Sequence, residues 1–125
     1  MAWKPDGYPE VSPYLIVSDA ERTLAFLERA FGATRLRVMP RQGGKGLMHA
    51  EARIGSGVVM MGEMPEAVPS HVHIYVPDVL AAYERALAAG GEVVKPPTQD
   101  DEGDLRGGVA DGNGTTWWIS TQTRD

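Results

Sequence analysis

The chain reads as an α+β fold built from two β-α-β-β-β modules, and three observations carry that reading. Residues 70–78 run Ser-His-Val-His-Ile-Tyr-Val-Pro-Asp. Apolar Val72, Ile74 and Val76 alternate with His71, His73 and Tyr75, as a strand with one buried face requires. Asp78 then opens a helical run that stops at Gly90-Gly91. An earlier stretch repeats the design, because Ser12 to Asp19 leads into a helical run that stops at Gly32. The offset is 59 for Asp19 and Asp78, for Gly32 and Gly91, and for Leu24 and Tyr83. A constant offset through strand, cap, helix and stop marks an internal duplication.

With 125 residues, the chain has room for one domain, 1–125. Its modules fall at 11–62 and 70–121 around a linker, 63–69, and neither module buries much surface alone. A formal net charge of −5 argues against nucleic acid or an anionic membrane as partner. It is compatible with a cationic ligand. The absence of cysteine excludes disulfides and thiolate chemistry. No apolar run approaches the roughly 20 residues of a membrane span. Met1 to Pro5 are followed by no apolar stretch of the kind a signal peptide needs, so a cytoplasmic location is expected.

Residues 1–10 carry Pro5, Gly7 and Pro9 and read as an irregular lead-in. The first strand is expected over 11–17. Ser18 and Glu21 are spaced as a capping box for the first helix, whose Leu24, Leu27 and Phe31 share one face. Strands follow over 33–39, 47–54 and 58–61. A glycine-rich loop (40–46) and the tight turn Gly55-Ser56-Gly57 separate them. That loop lacks the spacing of a phosphate-binding loop. In the second module a strand over 71–76, a helix over 78–89 and a strand over 92–95 come first. A loop, 96–104, carries the acids Asp100, Asp101 and Glu102, which read as a solvated surface or an acidic lip for a cation. Strands over 105–111 and 115–120 flank the turn Gly112-Asn113-Gly114, which lies 57 residues after Gly55-Ser56-Gly57.

The duplicated order, the two Val-x-Asp caps and Asp111-Gly112-Asn113-Gly114 before a final aromatic strand together resemble the vicinal oxygen chelate superfamily. That superfamily contains glyoxalases, bleomycin-resistance proteins and extradiol dioxygenases. Ala30-Phe31-Gly32-Ala33, His49-Ala50-Glu51 and Gly103-Asp104-x-Arg106-Gly107 are most similar to small glyoxalase-like proteins of the phosphonate-operon type. The resemblance spans about Glu10 to Thr121. It implies the glyoxalase-like fold, in which curved mixed sheets from the two modules surround one cavity, and it implies a homodimer. It also implies metal-ligand positions on the first and last strand of each module, here Ser12, Met61, His71 and Trp118. Only His71 is a good donor for a divalent ion, so the expected metal set is none and no cofactor is expected.

Alternation assigns the cavity-facing residues. With Val72, Ile74 and Val76 under a helix, His71, His73 and Tyr75 face the cavity, and the repeat adds Tyr14. His49, Glu51 and Arg53 share the polar face of their strand. An offset of 57 carries His49 to Arg106 and Met61 to Trp118. The expected ligand-binding set is therefore Tyr14, His49, Glu51, Met61, His71, His73, Tyr75, Arg106 and Trp118. Trp117 shares a face with Ile119 and is assigned to the core. Trp118 is assigned as a platform for flat or cationic groups. Glu51 and His49 are the candidates for general acid–base work. The alternative for Glu51 is a salt bridge to Arg106 or Arg53. A metal site built from the three histidines, or from two and Glu51, stays open.

The function expected is metal-free binding of an aromatic or cationic small molecule, as in drug sequestration. Its rivals are a metal-dependent lyase, isomerase or dioxygenase, and a metal-free proton-transfer enzyme using Glu51 and a histidine.

Overall fold

Each sheet has one apolar face to bury, and two helices supply the cover. The computed structural model describes residues 2–124. Met1 and Asp125, the ends of the expected lead-in and polar tail, lie outside the described residues. The first module comprises β1 (Tyr14–Val17), α1 (Ala20–Phe31), β2 (Thr34–Pro40), β3 (Leu47–Ile54) and β4 (Gly57–Glu63). The second comprises β5 (Ser70–Tyr75), α2 (Val79–Ala88), β6 (Glu92–Gln99), β7 (Asp104–Ala110) and β8 (Thr115–Gln122). The sheets have the orders β1-β4-β3-β2 and β5-β8-β7-β6. Both are mixed, with β1 parallel to β4 and β5 parallel to β8, and the remaining pairs antiparallel.

Leu15, Val17, Ala50, Ala52, Val59 and Met61 form the helix side of the first sheet, and Val109, Trp117 and Ile119 that of the second. Leu24 and Leu27 of α1 and Ala82 and Ala86 of α2 join them in one continuous cluster. The modules meet mainly through α1 and α2, where Arg29 and Arg85 donate to the carbonyls of Ala88 and Ala30. Gly32 ends α1 in the left-handed conformation, φ 67°, and its N–H closes the last turn.

Several expectations change. Asp19, not Ser18, caps α1, accepting from the Arg22 N–H at 3.1 Å. Ser18 instead bonds Asn113 of the other module. The first strand starts at Tyr14, after Pro13, rather than at residue 11. Strand β6 runs on through Pro96 and Pro97 to Gln99, where a loop was expected. It is an edge strand with register shifts on both sides of Lys95, the setting in which prolines are tolerated. Glu63, expected in the linker, is the last residue of β4.

Candidate ligand site

The helix-averted faces of the two sheets carry the polar and aromatic side chains. On the first sheet one row across the strands is Tyr14, Met60 and Glu51. Glu51 is only 2% exposed. Its carboxylate accepts from the Tyr8 hydroxyl at 2.5 Å and lies 2.7 Å from His49 Nε2. Burial opposes the Glu51 charge, but the hydrogen bonds from Tyr8 and His49, with the charges of His49 and Arg37, outweigh it and hold the carboxyl below its usual range. The ionised carboxylate only accepts, so His49 donates through Nε2 and turns Nδ1 toward the Tyr14 hydroxyl, 3.4 Å away. Neither Arg53 nor Arg106 pairs with Glu51. Arg53 donates to the Gly7 carbonyl at 2.7 Å and lies 5.9 Å from the centre of the Tyr8 ring. The lead-in thus folds across this sheet and delivers Tyr8 into the cluster. Sequence reading missed Tyr8 because a segment without periodicity assigns no face.

Met61 does not join this set. It is 0% exposed and packs on the helix side with Leu15 and Ala50, while Met60 takes the helix-averted side. The offset of 57 holds up to the hairpin turn and fails after it. Four residues separate the paired Arg53 and Val58, and five separate the paired Ala110 and Thr116. The counterpart of Trp118 is therefore Met60, and a one-residue slip moves a side chain to the opposite face.

On the second sheet successive rows are His71–Thr116–Ala110, His73–Trp118–Gly108 and Tyr75–Ser120–Arg106. Gly108 explains how Trp118 lies. A Cβ placed there would meet Cζ3, Cε3 and Cη2 of the indole at 2.7, 2.9 and 3.2 Å. Such similar distances to three neighbouring ring atoms mean that the face of the ring rests on the strand. Trp118 Nε1 donates to His71 Nδ1 at 3.0 Å, and the two ring planes differ by 17°. An indole N–H and an imidazole lone pair both lie in their ring planes, so the two rings sit side by side as one extended flat surface. Trp117 points the other way. It is fully buried against Phe31, and its Nε1 donates to Asp111 at 3.0 Å.

Ser120 links the rest of the face. Arg106 Nε donates to its Oγ at 2.9 Å, which leaves the hydroxyl hydrogen for His73 Nε2, also at 2.9 Å. Partial burial, then the Arg106 charge, lowers the His73 pKa against an opposing effect of Asp104. His73 therefore accepts as a neutral ring. Asp104 takes the Tyr75 hydroxyl at 2.8 Å and Arg106 Nη2 at 3.0 Å. The bond to Asp104 raises the Tyr75 pKa. Asp100, read from the sequence as part of a solvated surface or an acidic lip, accepts from the backbone N–H groups of Glu102 and Asp104 and so closes its own turn.

The structure thus divides the nine expected residues. Tyr14, His49 and Glu51 form one cluster. His71, His73, Tyr75, Arg106 and Trp118 share the other sheet, and no hydrogen bond or ion pair joins the two clusters among the described residues. Tyr14 and Tyr75 stay 51% and 62% exposed. Among the described residues no three His, Asp or Glu side chains converge as metal ligands. The donors at the family's ligand positions are one imidazole with a hydroxyl, a thioether and an indole, which do not fit a divalent ion.

The sequence profile of the glyoxalase/bleomycin resistance protein/dioxygenase superfamily matches residues 10–119. The chain belongs to this superfamily. A Mycobacterium bovis protein of uncharacterized function is similar to it, with 34% identity over 131 residues, spanning 94% of this chain and 86% of the relative. The crystal structure of TioX from Micromonospora superposes with a TM-score of 0.77 at 25% identity, covering 91% of this chain and 98% of TioX. The fosfomycin resistance protein FosX of Listeria monocytogenes superposes at 0.72 with 20% identity, over 92% of this chain and 94% of its own. A bleomycin resistance determinant encoded on transposon Tn5 superposes at 0.69 with 17% identity, over 93% and 99%. These last two likenesses show the glyoxalase-like fold. No helix among the described residues is long and apolar enough to cross a membrane.

Proposed function

We propose that this member of the glyoxalase superfamily is a metal-free, cytoplasmic binder of a flat aromatic small molecule, with its cavity completed by a second copy of the chain. The observation that carries the reading is the Trp118 platform. One indole face rests on Gly108, the N–H is locked to His71, and the ring is only half-buried. A ring fixed before the ligand arrives loses little entropy on stacking. The poor donor set supports the metal-free part.

The test compares Trp118→Ala with Trp117→Ala by thermal unfolding and by calorimetric titration with 2-naphthalenemethanol. Trp118→Ala is expected to keep the fold and weaken binding by about 1–3 kcal/mol. Trp117→Ala is expected to lose about 3–5 kcal/mol of stability. Unchanged binding in Trp118→Ala would remove the platform. Zinc, iron, nickel or manganese near one equivalent in the purified protein, lost in His71→Ala, would overturn the metal-free reading.

A second reading has its own observation. Glu51 holds His49 by Nε2, and Nδ1 lies 3.4 Å from the hydroxyl of the half-exposed Tyr14, an arrangement suited to a general base. Turnover abolished by His49→Gln in a fold of unchanged stability would favour it.

A further inference from the structure

Across the second sheet Lys95 is the register partner of Gly108. It therefore stands on the same face, just beyond the glycine on which the Trp118 ring rests. Arg106 lies one row further along β7. Trp118, Lys95, Arg106 and His73 together line an open cavity of about 360 Å³, within the size range of small-molecule pockets.

The charges around this cavity are unevenly matched. Asp104 is spent on Tyr75 and Arg106, and Asp100 on its own turn, 3.5 Å from Arg106 Nη2. Arg106 uses Nε and Nη2 on Ser120 and Asp104, and Nη1 has no partner among the described residues. Lys95 forms no ion pair among the described residues, nor does Glu92 on the same strand. The cavity thus offers a flat apolar surface with the Lys95 ammonium, which no carboxylate pairs among the described residues, and one unpartnered guanidinium nitrogen, Nη1 of Arg106, beside it.

We propose that the ligand of the Trp118 platform is an aromatic anion, its rings on the indole and its carboxylate, sulfonate or phenolate between Lys95 and Arg106. This rests on the platform reading, keeps the aromatic part of the expected aromatic or cationic ligand and departs from the cationic alternative. Delocalised rings match the indole face, and an unpaired ammonium with one guanidinium N–H group beside it matches an oxyanion.

The test titrates the full chain with three probes that share one ring system: 2-naphthoate, 2-naphthalenemethanol and 2-naphthylmethylammonium. Naphthoate is expected to bind about tenfold or more tighter than the ammonium, with an advantage that shrinks as salt rises. Lys95→Met is expected to weaken naphthoate about fivefold or more and to leave the alcohol within about twofold. Equal or tighter binding of the ammonium, or naphthoate binding indifferent to Lys95→Met, overturns the charge assignment. Alcohol binding that needs Trp118 would keep the platform in that case. No binding of any probe at millimolar concentration overturns both.

Discussion

Met60 and Met61 are chemically identical neighbours with opposite surroundings. Met61 sits in the core beneath α1, and Met60 lies between Tyr14 and Glu51 on the helix-averted face. Met61→Ala is expected to cost about 2–5 kcal/mol in urea unfolding, because it leaves a cavity among fixed neighbours. Met60→Ala is expected to cost about 1 kcal/mol or less, since its site is half open. The reverse order would mean that β4 is out of register. His73 allows a second check. Its folded pKa lies below its ordinary value of 6.5, through partial burial and then Arg106. The unfolded chain takes up the proton first as pH falls. The stability contributed by neutral His73 is complete above the ordinary value and is lost as pH drops through the folded one. The urea midpoint is therefore expected to fall between pH 7 and pH 5, and His73→Gln to flatten that fall. An equal slope in the variant would assign the dependence to another group.

At the scale of elements, the β7–β8 turn joins the modules. The Asn113 side chain accepts from the N–H groups of Ser18 and Asp19 at 3.1 and 3.2 Å. Its amide donates to the Asp19 carbonyl and to Thr23 Oγ1 at 2.5 and 2.6 Å. Asp111 orders the turn by accepting from the Asn113 and Thr115 N–H groups and from Trp117. A buried amide that serves the start of α1 from the other module is expected to make the two modules unfold together. Asn113→Ala is expected to destabilise by about 2–3 kcal/mol, since it strands buried polar groups. Asn113→Asp keeps the acceptor, loses the donor and is expected to fall between. Denaturation followed by Trp118 and by far-ultraviolet signals should stay coincident in the wild type, and separate transitions would show the modules to be independent. The alternation on β5, the Asp78 cap and the β3 boundaries were legible in the sequence, because side-chain period and capping are local. The extra residue in this turn was also present there. Its effect on Met61 needed the strand pairing, since the turn's glycines match those of the first module at a constant offset.

For the whole molecule, the unclosed faces decide the assembly expected. Each sheet has helices on one side, and Tyr14 and Tyr75 remain largely exposed on the other. Light scattering at micromolar concentration is expected to give the mass of a dimer, and a monomeric mass would remove the second copy from the proposed site. The lead-in belongs to this scale too. Tyr8 and Gly7 dock on Glu51 and Arg53, so Tyr8→Phe is expected to lower stability by about 1–2 kcal/mol at pH 7. Its effect depends on the Glu51 charge. Glu51 has a depressed folded pKa, so the contribution is present above the ordinary carboxylate value of 4.5 and is lost as pH falls through the lower folded value. The gap between Tyr8→Phe and wild type, measured by urea unfolding, is expected to narrow toward pH 3.

By itself the sequence determined the duplication, the order of elements, the helix-facing apolar rows and the two-faced behaviour of Trp117 and Trp118. Each follows from periods of 2 and 3.6 residues and from caps that act within a few positions. Only the tertiary structure decided that Met60 and not Met61 lies on the helix-averted face, that Tyr8 reaches Glu51, and that eight of the nine expected residues fall into two clusters. It also decided that Lys95 stands beside the glycine under the Trp118 ring. Those facts depend on strand register, on the docking of an aperiodic segment and on which face of one module meets the other. All three are set by contacts between residues far apart in the chain, to which local periodicity is blind.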